Sequence, residues 1–173
     1  MTTALIIIVV LIAAFLAFVA TRPNAFRIQR ATSVKAPPEK IYPLINDLHQ
    51  FNTWNPFAKA DPNVKLTYSG AQSGKGAVYD WQSKKMGVGR MEIVDTAAPS
   101  RVVAKLDFVK PMEAHNIVEF TLEPRGDATN VTWAMHGPMP FMSKLMTLFF
   151  SMERMVGGEF EKGLANMKAA VET

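Results

Sequence analysis

The sequence predicts an α+β domain in which an antiparallel sheet lies against a long C-terminal helix, preceded by one transmembrane helix. Three features predict it: an uncharged apolar run from Ala4 to Ala20, a period-two alternation of apolar and polar residues from Val64 onward, and an apolar stripe at helical spacing from Phe141 to Val171. The chain has 173 residues, 49% hydrophobic and 20% charged, enough for one domain with a real core. Cysteine is absent, which removes disulfides, thiol nucleophiles and thiolate metal sites together.

The first element is "ALIIIVVLIAAFLAFVA". With Thr2, Thr3 and Thr21 it reaches the ~20 residues and ~30 Å that a bilayer core requires, so residues 1–21 read as a transmembrane anchor. A cleaved signal peptide is the rival reading, but the run lacks a basic leading region and "AFVA" is a weak cleavage site. Arg22, Arg27, Arg30, Lys35 and Lys40 then face a single Glu39, while no charged side chain precedes Arg22. By the positive-inside rule the remaining chain faces the cytoplasm. That segment holds the whole excess charge of a chain with net charge +4. A nucleic-acid binder is therefore not expected, because the folded domain shows no basic excess of its own.

Residues 22–26, with Pro23 and Asn24, form a linker, and residues 27–173 form the domain. "FRIQRATSV" reads as a strand; "APPEKIYPLINDLHQF" reads as a helix opened by Pro37 and Pro38, which Pro43 must either join near its start or kink. Six further strands follow. Their core-facing parity carries Val64, Leu66 and Tyr68; Tyr79 and Trp81; Met91 and Ile93; Val102, Ala104, Leu106 and Phe108; Asn116, Val118, Phe120 and Leu122; and Val131, Trp133 and Met135. The opposite parity carries Lys65, Asp80, Arg90, Glu92, Lys105, Asp107, Glu119 and Thr132, a water-facing set. Runs such as "SGAQSGKG", "KKMGVG" and "PRGDATN" mark the turns.

The last element places Phe141, Leu145, Leu148, Met152, Val156, Phe160, Leu164, Met167 and Val171 on one stripe, in phase across Gly157 and Gly158, which predicts one long helix with a possible bend at that pair. In its first half Met142, Met146, Phe149 and Phe150 widen the apolar arc to about 200°, twice the ~100° of a one-sided surface helix. That half needs a second apolar partner: extra core around "FNTWNPF", a cavity wall of flexible methionines, or a bilayer. Glu153, inside the arc, opposes the last.

A strand, then "APPEKIYPLINDLHQFNTWNPF", then strands containing "GKGAVYDW" and "GVGRMEIV", closed by a long helix, resembles the START-like or SRPBCC superfamily. Within it, the bacterial polyketide cyclase/dehydrase and lipid-transport proteins are the most similar group. The resemblance covers about Phe26 to Glu172. It implies the helix-grip fold, with an apolar cavity between sheet and C-terminal helix, and binding of lipids, sterols, polyketides or other hydrophobic molecules. A minority of members catalyse cyclisation or dehydration there. The resemblance brings no shared catalytic set, and the anchor is foreign to the basic domain pattern.

The candidate ligand-binding residues are Tyr68, Tyr79, Trp81, Asn116 and Trp133, whose polar groups share the core parity, with Met91, Phe120 and Met135 beside them and Met142 and Phe149 from the helix. Arg30, in phase with Ile28 and Thr32, could reach an acidic head group or turn outward. No catalytic residue is expected: His49, His115 and His136 are scattered, and no acidic cluster, metal-ligand spacing or nucleophile elbow is present. "GAQSGKG" lacks the spacing of a phosphate loop. No cofactor and no metal are expected. The leading expectation is a binding module for a lipid or other hydrophobic small molecule, single-pass in the inner membrane with its domain in the cytoplasm. The alternatives are a cyclase- or dehydratase-type enzyme and a tethered interaction protein with a closed core.

Overall fold

The computed structural model describes residues 2–173; Met1, the first residue of the expected anchor, lies outside them. Helix α1 (Thr2–Ala20) leads into strand β1 (Ala25–Val34). Four short helices follow: α2 (Pro38–Ile41), α3 (Pro43–Asn46), α4 (Leu48–Trp54) and α5 (Pro56–Lys59). The single helix expected before Phe51 is thus broken in two places. Pro43 has no N–H to continue α2 and opens α3 instead. Asp47 adopts an extended backbone and accepts from the His49 N–H at 2.9 Å, capping α4.

Six strands then run antiparallel: β2 (Lys65–Gly70), β3 (Ala77–Ser83), β4 (Gly87–Ala97), β5 (Arg101–Lys110), β6 (Ala114–Arg125) and β7 (Ala128–Pro138). β1 joins them by pairing with β7, giving one seven-stranded sheet in the order β1-β7-β6-β5-β4-β3-β2. The alternation that predicted the strands is plainest on β6, where Asn116, Val118, Phe120 and Leu122 are buried in turn. The C-terminal helix lies over the buried face. This is the helix-grip arrangement.

That helix is not the continuous one expected. α6 (Phe141–Met146) and α7 (Met152–Glu172) are separated by residues 147–151. Ser151, extended at φ −80°, restarts the helix by accepting from the Arg154 N–H at 3.3 Å. Gly157 and Gly158, expected at a bend, lie inside unbroken α7. Gly157 answers a close approach instead: a Cβ there would collide with the Arg30 guanidinium. Arg30 lies in a regular stretch of β1 and bonds Glu153 and Glu161 of α7, each at 2.6 Å. It is therefore engaged by two carboxylates and not free for a ligand head group. The same pairing explains Glu153 inside an otherwise apolar arc. Farther along α7, a Cβ on Gly163 would stand 2.7 Å from the Trp133 ring and 2.9 Å from Pro56, so glycine lets the helix settle onto the sheet.

α1 is long and apolar enough to cross a membrane, and nearly all of it is exposed. Its C-terminal end is not free. Val19 is fully buried, and α1 packs against α6. Lys144 of α6, only 5% exposed, donates to Asn24 Oδ1 at 2.6 Å and to the Ala20 carbonyl at 3.3 Å. A cation at the last carbonyls of a helix is favoured by the helix dipole.

Candidate functional site

Between the sheet and the helices is a cavity of about 250 Å³. β3 contributes Tyr79 and Trp81, β4 Met91, β5 Leu106 and Phe108, β6 Val118, and β7 Trp133 and Met135. α7 closes it with Val156 and Phe160; the short helices add Phe51, Asn55, Phe57 and Ala58, and Val64, Leu66 and Met86 complete the wall. Phe160 stacks on Trp133 with ring centroids 4.1 Å apart and the planes 11° from parallel. Phe51 meets Trp133 edge-on at 6.0 Å.

Strand register locates the cavity along the sheet. Phe108 pairs with Gly89 and Ala114, Leu106 with Met91 and Asn116, and Met135 with Val118 and Ile28. These positions lie toward the end where β1 begins and β7 finishes, since Ala25 pairs with Pro138. Val102, Leu122 and Val131, nearer the opposite end, are packed solid.

The wall is almost wholly apolar. No Asp, Glu, His, Lys or Arg is among its described residues. Tyr79 is the one titratable group there, and burial pushes its phenol above the ordinary value; the neighbouring Tyr68 acts in the same direction, and a hydrogen bond with Asn55 opposes both. Tyr79 therefore stays a neutral donor throughout the physiological range. Trp81 and Trp133 each bury an indole N–H that has no acceptor among the described residues, an omission that costs about 1–3 kcal/mol per group.

Of the ten residues expected at a site, the structure brings Tyr79, Trp81, Met91, Trp133 and Met135 to this wall. The other five are elsewhere. Tyr68 is stacked on His49 at 3.7 Å, and its hydroxyl accepts from Asn52 Nδ2 at 3.1 Å. Asn116 is buried but leans over Gly137, where any Cβ would strike its amide oxygen. Phe120 sits in solid core among Phe51, Trp54 and Trp133. Met142 and Phe149 correct the expectation most: they are 59% and 74% exposed, because the break at residues 147–151 carries their segment away from the cavity. Among the residues not anticipated as site members, Leu66, Leu106, Phe108, Val118, Val156 and Phe160 were legible only as core. Phe57 was legible only as extra core within "FNTWNPF", and Ala58 and Met86 carried no signal, since they lie outside the regular strands and α7.

The histidines stay outside the cavity. His115 is exposed on the outer face, with Nδ1 2.7 Å from Asp107 and Nε2 3.2 Å from Glu113. Its hydrogen bond to Asp107 is the leading cause that raises its pKa above the ordinary 6.5. Because the folded value is raised, this stabilisation is complete below about pH 6.5 and is lost as pH climbs through the folded value. Urea midpoints should therefore fall modestly between slightly acid and slightly alkaline pH, and His115→Gln should flatten that fall. An unchanged slope in the variant would assign it to another group.

Comparison with known proteins agrees with this architecture. A family model described as "Polyketide cyclase / dehydrase and lipid transport" matches residues 25–172. No curated protein matches the chain. Among solved structures, protein MLL2253 from Mesorhizobium loti is similar with a TM-score of 0.63 at 13% identity, covering 85% of this chain and 97% of that one. Protein CV1439 from Chromobacterium violaceum gives 0.57 at 16%, covering 87% and 99%. TTHA0849 from Thermus thermophilus gives 0.59 at 16%, covering 85% and 97%. At these identities the likeness is one of fold.

Proposed function

Because this chain belongs to the polyketide cyclase / dehydrase and lipid transport family, we propose that it binds a neutral hydrophobic small molecule, such as a lipid, in the cavity between its sheet and α7. Membership makes it a hydrophobic-ligand-binding or cyclase/dehydrase-like module; binding without chemistry is the finer reading. The observation that carries it is the cavity itself. Its wall is almost wholly apolar, and its volume of about 250 Å³ lies just under the ~300–1,000 Å³ of small-molecule pockets. Acid–base catalysis needs a group that titrates near the working pH. Tyr79, the one titratable residue of the wall, is moved away from that range.

The polar groups narrow the ligand. An ionised head would have no counter-charge in the wall, and burying it unpaired is prohibitive. A carbonyl or ether oxygen is compatible, since an uncharged group asks for no counter-charge and Tyr79 stands in the wall as a neutral phenol. On this reading α1 holds the domain at the inner membrane by a single pass, with the domain on the cytoplasmic side. The support is its apolar length and the basic residues that follow it.

The test is organic extraction and mass spectrometry of the full chain purified in lipid nanodiscs, with titration of neutral apolar compounds read by tryptophan fluorescence. A stoichiometric neutral species, enriched over the surrounding lipid and displaced by a compound that quenches the tryptophans, is the expected result. No enriched species and no quenching would overturn the reading.

A further inference from the structure

We propose that residues 141–155 lie in the interface of an anionic bilayer; this builds on the reading of α1 as a membrane span. The segment leaves six large apolar side chains open to the surroundings: Phe141, Met142, Met146, Phe149, Phe150 and Met155 are 43–74% exposed. A contiguous patch of this kind is unusual on a soluble monomer and marks a binding surface.

Its position identifies the occupant. α6 is fixed to the end of α1 by buried Val19 and by the hydrogen bonds from Lys144 to Ala20 and Asn24. Ala20 is the last residue of the apolar helix. A segment pinned to the point where such a helix leaves the hydrocarbon sits at headgroup depth. Interfacial elements of this type present Phe and Leu to the acyl boundary and basic residues to the headgroups. The basic residues are present: Arg22 follows α1 and Arg154 opens α7, both exposed.

The register extends the same surface. The β3–β4 turn, with Lys84 and Lys85, and the β5–β6 turn, with Lys110 and Met112, lie at the sheet end where α1 enters and α6 leaves, because Val88 pairs with Lys110 and Ala25 with Pro138. Cations at such a place are drawn to an anionic surface. The cavity occupies this same half of the sheet.

The chain has no cysteine, so single introduced cysteines can carry an environment-sensitive fluorophore. Met142→Cys and Phe149→Cys probe the segment, Asp127→Cys the opposite end of the sheet, and Ile8→Cys the middle of α1. The labelled full chains are reconstituted in vesicles of phosphatidylethanolamine and phosphatidylglycerol containing nitroxide-bearing phosphatidylcholine. Labels at 142 and 149 should be quenched several-fold more than the label at 127. Quenching at 8 but not at 142 or 149 overturns the interface and leaves the anchor standing. Labels at 142 and 149 shielded from iodide yet untouched by nitroxide would place a protein or a second copy there, which also overturns it. Absence of quenching at all four positions removes the anchor and the interface together.

Discussion

Phe160→Ala should lower the unfolding free energy by about 3–5 kcal/mol, the range for truncating a buried phenylalanine, while Phe149→Ala should change it by less than about 0.5 kcal/mol. Both phenylalanines come from one apolar C-terminal stretch, so the contrast tests the break between α6 and α7 directly. Phe160 is 2% exposed and stacked on Trp133. An aromatic pair of that geometry adds about 0.5–1.5 kcal/mol beyond the area it buries. Its loss also enlarges the cavity, since Phe160 is part of the wall, and little can collapse into the space. Urea titration read by tryptophan fluorescence distinguishes the two variants. Equal effects would mean that residues 141–172 form one continuous helix seated on the sheet.

Leu106→Trp should weaken ligand binding by about 5- to 150-fold with the fold retained. Leu106 lies on β5, half-buried, with its side chain at the cavity. A larger ring there grows into empty space and not into packed core, so the free domain tolerates it. Overpacking appears only when a ligand competes for the volume, at about 1–3 kcal/mol, which converts to the stated range at about 1.4 kcal/mol per decade. The check is the affinity of the neutral compound identified by extraction, measured beside thermal unfolding of both proteins. Undiminished affinity in a folded variant would put the ligand outside the cavity.

The sheet was legible because strand parity is a local property: a residue and its second neighbour share a face whatever the rest of the chain does. Depth along the strand has no such local mark. Tyr68, Asn116 and Phe120 have the same parity as Tyr79 and Met135, yet only the latter two reach the cavity. The difference is set by register against neighbouring strands and by where α7 crosses. Met142 and Phe149 misled for another reason. Helical phase carries across a five-residue interruption without any visible fault, and Ser151, whose hydroxyl caps α7, is a single small residue in an apolar run. Asp47 before His49 and Gln50 was a similar cap signal inside "INDLHQ", overshadowed by the neighbouring prolines.

The Lys144 contact bears on how the domain samples its surroundings. A flexible leash would let the cavity face any direction, and most encounters with the source of its ligand would be unproductive. Lys144 and Val19 tie α6 to the end of α1, so rotation about the tether is largely removed before any encounter. With α1 in a bilayer, the remaining search is lateral diffusion in two dimensions. Loading would then scale with the ligand's mole fraction in the membrane and be insensitive to the volume of the surrounding solution.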